Sequence, residues 1–245
     1  MNTNYLKLTN YIEYIKNRLA ITTIFSWVSV LFKNPKLIRF FILWNKSLKS
    51  SRNALKDGSP WIVFEAKEWA DSFLKKGMNI FEWGSGGSTI YIGARVKKLI
   101  SVEHDPRWHS QVSSKLKEMG ISNCVYSLKE PKITKDSWIE EQVLGSYYST
   151  DNNYKNLNFK DYCTAINSFE DSFFDLVIVD GRARLSCIYH AIDKVKRGGY
   201  LLLDNSERKE YFMGINLLKD WERKDFYGPG PYNLEFWQTS IFKKI

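Results

Sequence analysis

Four carboxylates and one glycine-rich turn are the groups in this chain best suited by type and spacing to do chemistry. Glu82 and Trp83 lead directly into Gly84-Ser85-Gly86-Gly87-Ser88, and Glu103 follows 21 residues after Glu82. Asp180 and the pair Asp204-Asn205 close two later apolar runs. A turn without Cβ atoms lets the backbone approach a ligand closely, and a helix starting there offers unpaired N–H donors. A carboxylate at the end of the next strand can accept both hydroxyls of a ribose. A dinucleotide fingerprint needs a further glycine at position 89, which is Thr89 here. An acid just ahead of the glycines also suits a ligand bearing an ammonium and no phosphates better than it suits a pyrophosphate.

The elements that must hold these groups read as alternating helices and strands. Ser59-Pro60 opens a helix through Trp61, Phe64 and Trp69 to about Lys76, with Gly77 as its stop. Met78 to Trp83 reads as the first strand and Thr89 to Arg95 as the start of the helix after the glycines. Lys98 to Glu103 is a second strand. Asp105-Pro106 caps a helix marked by Trp108, Val112, Leu116 and Met119, and Asn123 to Leu128 is a third strand. Residues 129–160, rich in Tyr147, Tyr148 and Tyr154, read as a lid or substrate loop. Asp161 to Phe169 is a short helix, and Phe174 to Asp180 a strand apolar throughout, as expected when both faces are covered. Leu185, Ile188, Ile192 and Val195 mark a helix, Tyr200 to Asp204 a strand, and Tyr211 to about Lys224 a last helix. Strand-like runs at 225–227 and 235–242 close the chain as a hairpin through Gly228-Pro229-Gly230-Pro231. The expected fold is α/β and Rossmann-like: a seven-stranded, mostly parallel sheet with one antiparallel strand and helices on both faces. Ligands of such sheets bind beyond the carboxyl ends of the strands, where all four acids fall.

Charge divides the chain in two. Residues 1–56 carry ten Lys/Arg against the single acid Glu13, whereas residues 57–245 are balanced, so the net +9 belongs to an N-terminal helical extension. A balanced body argues against a nucleic-acid cleft. After Pro35, Leu37, Phe41, Trp44 and Leu48 recur at helical spacing beside cations. This pattern fits either an interfacial helix entering lipid headgroups or one packed on the domain or on a second subunit. Leu19 to Phe32 is too short and too interrupted by Thr and Ser to span a bilayer. Residues 50–60 read as a linker between the extension and the domain at 57–245. Three cysteines without metal spacing and no secretory leader pattern point to a reducing, cytoplasmic setting, with the inner membrane face as a possible station for the extension.

The ordered set FEWGSGGST, ISVEHD, FDLVIVDGRAR and GGYLLLDNS resembles the class I S-adenosylmethionine-dependent methyltransferases over about residues 60–245. The resemblance implies that the loop from Glu82 to Ser88 cradles the methionine part of the cofactor, that Glu103 binds its ribose, and that His104 and Asp105 line the adenosine side, with Asp180 a further cofactor-binding and catalytic candidate. A narrower similarity to metal-dependent catechol O-methyltransferase-type enzymes implies Mg²⁺ held by Asp180, Asp204 and Asn205, hard oxygen ligands suited to that ion. The catalytic lysine of those enzymes falls on Ala183 here, flanked by Arg182 and Arg184. Arginine stays protonated, so these two read as a clamp for an anionic acceptor rather than as a base. The expected reaction is methyl transfer to a hydroxyl of a small molecule or sugar. The alternatives are an aminopropyl-transferring user of the same pocket and a non-catalytic cofactor-binding scaffold. Trp61, Tyr147, Tyr148, Tyr154 and the Gly228–Pro231 loop are candidate walls for the acceptor. None of His104, His109 and His190 stands out as a base.

Overall fold

The computed structural model describes residues 21–134 and 144–245. The part of the extension before residue 21 and the centre of the expected lid, 135–143, lie outside the described residues. In chain order the helices are α1 (residues 21–33), α2 (Phe41–Ser47) after a 3₁₀ turn at Pro35–Phe40, α3 (Ala54–Asp57), α4 (Phe64–Phe73), α5 (Gly87–Gly93), α6 (Pro106–Glu118), α7 (Lys160–Cys163), α8 (Arg184–Ala191) and α9 (Phe212–Asn216). The strands are β1 (Asn79–Trp83), β2 (Lys98–Glu103), β3 (Cys124–Leu128), β4 (Lys132–Ile133), β5 (Leu157–Asn158), β6 (Phe174–Val179), β7 (Val195–Asp204), β8 (Glu222–Gly228) and β9 (Trp237–Lys243).

Seven of these strands form one sheet in the order β3-β2-β1-β6-β7-β9-β8, in which β9 runs antiparallel to both neighbours. The small antiparallel pair β4-β5 stands apart. Alternation along each strand sorts side chains into two cores, because successive residues point to opposite faces. Phe81, Trp83, Val177, Val179, Leu201 and Leu203 join one buried layer, roofed by Phe159, Tyr162 and Ile188. Ile80, Leu176, Ile178 and Leu202 enter the other, under Val63, Ala66, Ala70 and Ile92. The order reverses between β1 and β6, so the loops after β1, β2, β6 and β7 surround a single crevice.

Several boundaries differ from expectation. Val63 rather than Ser59 precedes the first helix of the body, because Phe64 N–H donates to Pro229 O and ties this turn to the C-terminal loop. Val195 is the first residue of a long β7 rather than the last of a helix, since pairing with Phe174 claims it. The last helix stops at Asn216, and β8 starts at Glu222 where β9 offers a partner edge.

Residues read as a linker are ordered: the Asn53 side chain caps α3, accepting from Lys56 N–H at 2.9 Å, and α3 lies across α5. The extension is welded to the body. Trp27, Val30, Leu37, Phe40, Trp44 and Phe64 form a third apolar cluster. Trp44 Nε1 donates to Asn233 O at 2.9 Å, and Arg39 pairs with Glu68 at 2.7 Å. Leu37 and Trp44, half of the stripe that fitted a lipid-entering face, therefore pack on protein, while Phe41 stays partly exposed. No helix among the described residues is long and apolar enough to cross a membrane.

Candidate active site

The crevice at the strand ends has a cavity volume of about 790 Å³, inside the range of ~300–1,000 Å³ usual for small-molecule sites. Its floor is the turn 84–88. Each glycine there answers a different constraint. Gly84 has φ +87°, and a Cβ on it would meet Gly181 Cα and N at 2.7 Å, so the loops after β1 and β6 touch only because it is bare. A Cβ on Gly87 would overlap the carbonyl oxygens of Ala54 and Ser59. Gly86 has no such neighbour. A Cβ there would meet only Trp108, at 3.6 Å, an ordinary contact, so packing does not demand glycine and the bare surface faces the crevice. This is what a site for close ligand approach requires.

Glu103 is 2 % exposed at the end of β2 and lines the crevice. Its Oε2 accepts from Ser85 N at 3.1 Å and Ser85 Oγ at 2.6 Å, and its Oε1 from His104 N at 2.8 Å and Asp105 N at 3.0 Å. Burial pushes this carboxyl up, but donors from His104, Ser85 and the Asp105 backbone outweigh it and hold Glu103 down at about 2. Asp105 caps α6, accepting from Arg107 N and Trp108 N, which aims Trp108 at the turn, where its Nε1 donates to Ser85 O at 2.8 Å. His104 Nε2 lies 3.0 Å from Tyr154 Oη.

Glu82 and Trp83 do not line the crevice. Trp83 is fully buried and donates to Tyr162 O at 2.9 Å. Glu82 is sealed beneath the turn, where Oε2 accepts from Thr89 Oγ1 and Ser101 Oγ, both at 2.7 Å. Thr89 Oγ1 accepts in turn from Gly86 N at 2.9 Å. The acid ahead of the glycines thus stiffens their backbone from below, with burial raising its carboxyl above the usual range. Ser88 lines the crevice at the first turn of α5.

The ends of β6 and β7 meet around Arg184. Its Nε donates to Gly181 O at 3.0 Å, Nη2 to Asp180 O at 3.1 Å and to Asp180 Oδ1 at 3.0 Å, and Nη1 to Asp204 O and to Asn205 Oδ1, the latter at 3.2 Å. All five guanidinium donors are used, so Arg184 has none left to clamp an acceptor. Asp204 Oδ1 turns toward β9, accepting from Trp237 Nε1 at 2.9 Å and Thr239 Oγ1 at 2.6 Å. The proposed Mg²⁺ ligands therefore do not fit an ion: an arginine of the chain binds all three residues, and no group of three His, Cys, Asp or Glu among the described residues is suited to a metal. Ala183 and Asn205, on either side of this knot, both have left-handed backbone, at φ +47° and +52°.

Among the described residues no donor reaches Asp180 Oδ2, and the residue lines the crevice. Burial, then the neighbouring Asp204 charge, raise its carboxyl well above the ordinary range despite Arg184. Burial likewise raises Asp204. Arg182 pairs with Asp151 at 3.1 Å, lies over the Tyr154 ring and reaches both the main crevice and an adjoining polar cavity of about 230 Å³. Arg208 also lines both.

The opposite wall was not visible as a site in the sequence. Arg52 and Asn53 come from the extension, Tyr232 and Asn233 from the C-terminal loop and Trp237 from the start of β9, with Tyr232 Oη donating to Asp57 at 2.8 Å. Trp61 lines the crevice beside Tyr232, as does Tyr154, whereas Tyr147 and Tyr148 do not.

No family model matches the sequence, and no curated protein matches it. Among solved structures, a putative O-methyltransferase from Klebsiella pneumoniae superposes with TM-score 0.51 at 16 % identity, over 86 % of this chain and 90 % of the other. The fold is that of the class I S-adenosylmethionine-dependent methyltransferases. The O-methyltransferase TomG from Streptomyces achromogenes, solved with S-adenosylmethionine, aligns at TM-score 0.49 and 14 % identity over 68 % of this chain and 73 % of its own. Precorrin-6y C5,15-methyltransferase from Geobacter metallireducens aligns at 0.46 and 12 %, over 73 % and 87 %.

Proposed function

We propose that this chain transfers the methyl group of S-adenosylmethionine to a hydroxyl oxygen of a small-molecule or sugar acceptor that carries an anionic group. The observation that carries this reading is Gly86, a glycine whose open side serves no packing need and faces the crevice next to the ionised Glu103. Gly84 to Ser88 and the first turn of α5 would hold the methionine part, Glu103 the ribose, and His104, Asp105 and Trp108 the base side. Ser85 Oγ, now donating to Glu103, occupies the place of a ribose donor and can rotate out of it. When bound, the cofactor supplies a methyl already activated by its sulfonium, so placement is most of the catalytic task.

Asp180 is the proton acceptor in this reading. Its raised carboxyl is a stronger base than an ordinary aspartate, and it would take the proton of the acceptor hydroxyl. Arg182 and Arg208, on the shared wall of the two cavities, face the anionic group of the acceptor, the part that Arg184 cannot play. Magnesium has no part in it.

Calorimetric titration with S-adenosylmethionine, followed by product analysis against candidate anionic acceptors, tests the reading. S-Adenosylhomocysteine and a methylated acceptor are expected. Methylthioadenosine from a decarboxylated cofactor would assign aminopropyl transfer, cofactor binding without turnover a scaffold, and no binding would remove the basis of the assignment.

A further inference from the structure

Helix α1 is apolar on two sides. Its inner side, Thr23, Trp27 and Val30, is buried against the body. Its outer side carries Ile21, Ile24, Phe25, Val28 and Phe32, spaced i, i+3, i+4, i+7 and i+11, and all are exposed, Phe25 by 70 % and Phe32 by 91 %. A helix that is hydrophobic all round is normally covered all round. The same holds for the next segment: Leu37, Phe40 and Trp44 face inward, while Ile38, Ile42 and Leu43 are exposed. The two segments meet where the half-exposed Phe41 packs its ring on Trp27 at 5.3 Å. Eight large apolar side chains presented outward together exceed what scattered surface residues explain.

Charge chooses the occupant. From residue 21 to 56 there are seven Lys/Arg and no acid, and Lys33, Lys36, Lys46 and Lys49 are all exposed around this apolar face. A second copy would set the same cations against each other across a two-fold interface, with no acid among residues 21–56 to oppose them. An anionic lipid surface offers the opposite charge to the lysines and an acyl boundary to the phenylalanines. We propose that the outward face of residues 21–49 docks this protein onto an anionic lipid bilayer, lying in the interface without crossing it. These are different side chains from the inward Leu37 and Trp44, which hold the extension to the body. The extension also walls the crevice through Arg52 and holds Asn233 through Trp44, so docking would station the site at the membrane surface.

The test is sedimentation of the full chain with vesicles of phosphatidylcholine alone and of phosphatidylcholine mixed in equal parts with phosphatidylglycerol. Partition at least about tenfold stronger onto the mixed vesicles is expected, weakening as salt is raised. A double substitution Phe25→Ser with Phe32→Ser, and separately Lys33→Glu with Lys36→Glu, should each cut that partition about tenfold or more. All four side chains are exposed, so melting temperature and affinity for S-adenosylmethionine should stay unchanged, which keeps this outcome separate from the cofactor reading. Failure of the full chain to sediment, or equal binding to neutral vesicles, overturns the proposal. So does a dimer in gel filtration that the phenylalanine substitutions dissociate, which would assign the face to a second copy.

Discussion

Replacing Arg184 by alanine should destabilise the protein by about 4 kcal/mol, the usual cost of removing one partner from a buried ion pair. The side chain is almost wholly buried, and its five donors satisfy Asp180 Oδ1, Asn205 Oδ1 and the carbonyls of Asp180, Gly181 and Asp204. Alanine leaves these acceptors without their donor and the Asp180–Asp204 pair without its cation. At about 3 °C per kcal/mol for a domain of this size, the melting temperature should fall by about 12 °C. Lysine keeps the charge but offers three donors from one point, so Arg184→Lys should recover about half of the loss.

Two further readouts separate this account from a generic packing defect. Asp180 and Asp204 both titrate above the ordinary value, so the folded state holds their protons more tightly than the unfolded state, and their contribution to stability is lost as pH rises through the folded values. Arg184 offsets that loss. The deficit of Arg184→Ala, followed by thermal melting, should therefore widen from pH 5 toward pH 9. Magnesium should raise the melting temperature of Arg184→Ala, where three oxygen-bearing residues are freed, and leave the parent unmoved. A pH-independent deficit, or a parent protein that loses cofactor binding to chelator and regains it with Mg²⁺, would refute the view that the guanidinium fills the cation position.

Gly86→Ala should melt within about 0.5 kcal/mol of the parent, because its Cβ meets only Trp108, whereas Gly86→Leu should keep the fold but lose cofactor affinity at least about tenfold in calorimetry. Gly87→Ala should instead lower stability by about 2 kcal/mol, since its Cβ collides with the backbone of residues 54 and 59. Glu103 lies below its ordinary 4.5, at about 2, and so contributes about 3 kcal/mol that is present above pH 4.5 and lost as pH falls toward 2; Glu103→Gln should lose that margin at pH 7 and converge with the parent in acid, as followed by urea unfolding.

How much of this was legible in the sequence depended on whether the partners were local. The glycine turn, Glu103 and Asp105 are tied to one another within a few residues or through one strand pairing, so their placement could be read from order and spacing. Thr89 was noticed only as a missing glycine, yet its hydroxyl is the bridge between Glu82 and Gly86 N–H. Trp108 read as one more apolar residue of a helix stripe. Its position three residues after the cap Asp105, in the first turn, was a usable sign that it faces the loop. Arg184 could not be decoded, because three of its five acceptors are backbone carbonyls that carry no sequence signature. Gly87 serves a chain segment some 30 residues earlier, and Trp237 reaches Asp204 from β9, contacts that exist only once the sheet is assembled.

Glu103 and Asp180 sit at the ends of strands in one sheet and both lose water on folding, Glu103 almost wholly and Asp180 in part, yet their carboxyls move in opposite directions. The difference lies in donors. Glu103 accepts four hydrogen bonds from the loop and the backbone after β2, which favour the charged form over the burial that opposes it. Asp180 has one guanidinium donor and a second buried carboxylate near it, so burial prevails. Environments that push two acids apart assign them different work. A group that stays ionised across the whole working range suits a permanent grip on a diol, and one that titrates nearer neutrality suits exchange of a proton. Affinity for S-adenosylmethionine should accordingly stay flat between pH 5 and 9, while turnover rises with pH as Asp180 ionises, and Asp180→Asn should abolish that rise with little change in affinity. Calorimetry and rate profiles on the same preparations decide the matter, and an affinity that climbs in step with turnover would show that one carboxylate serves both ends.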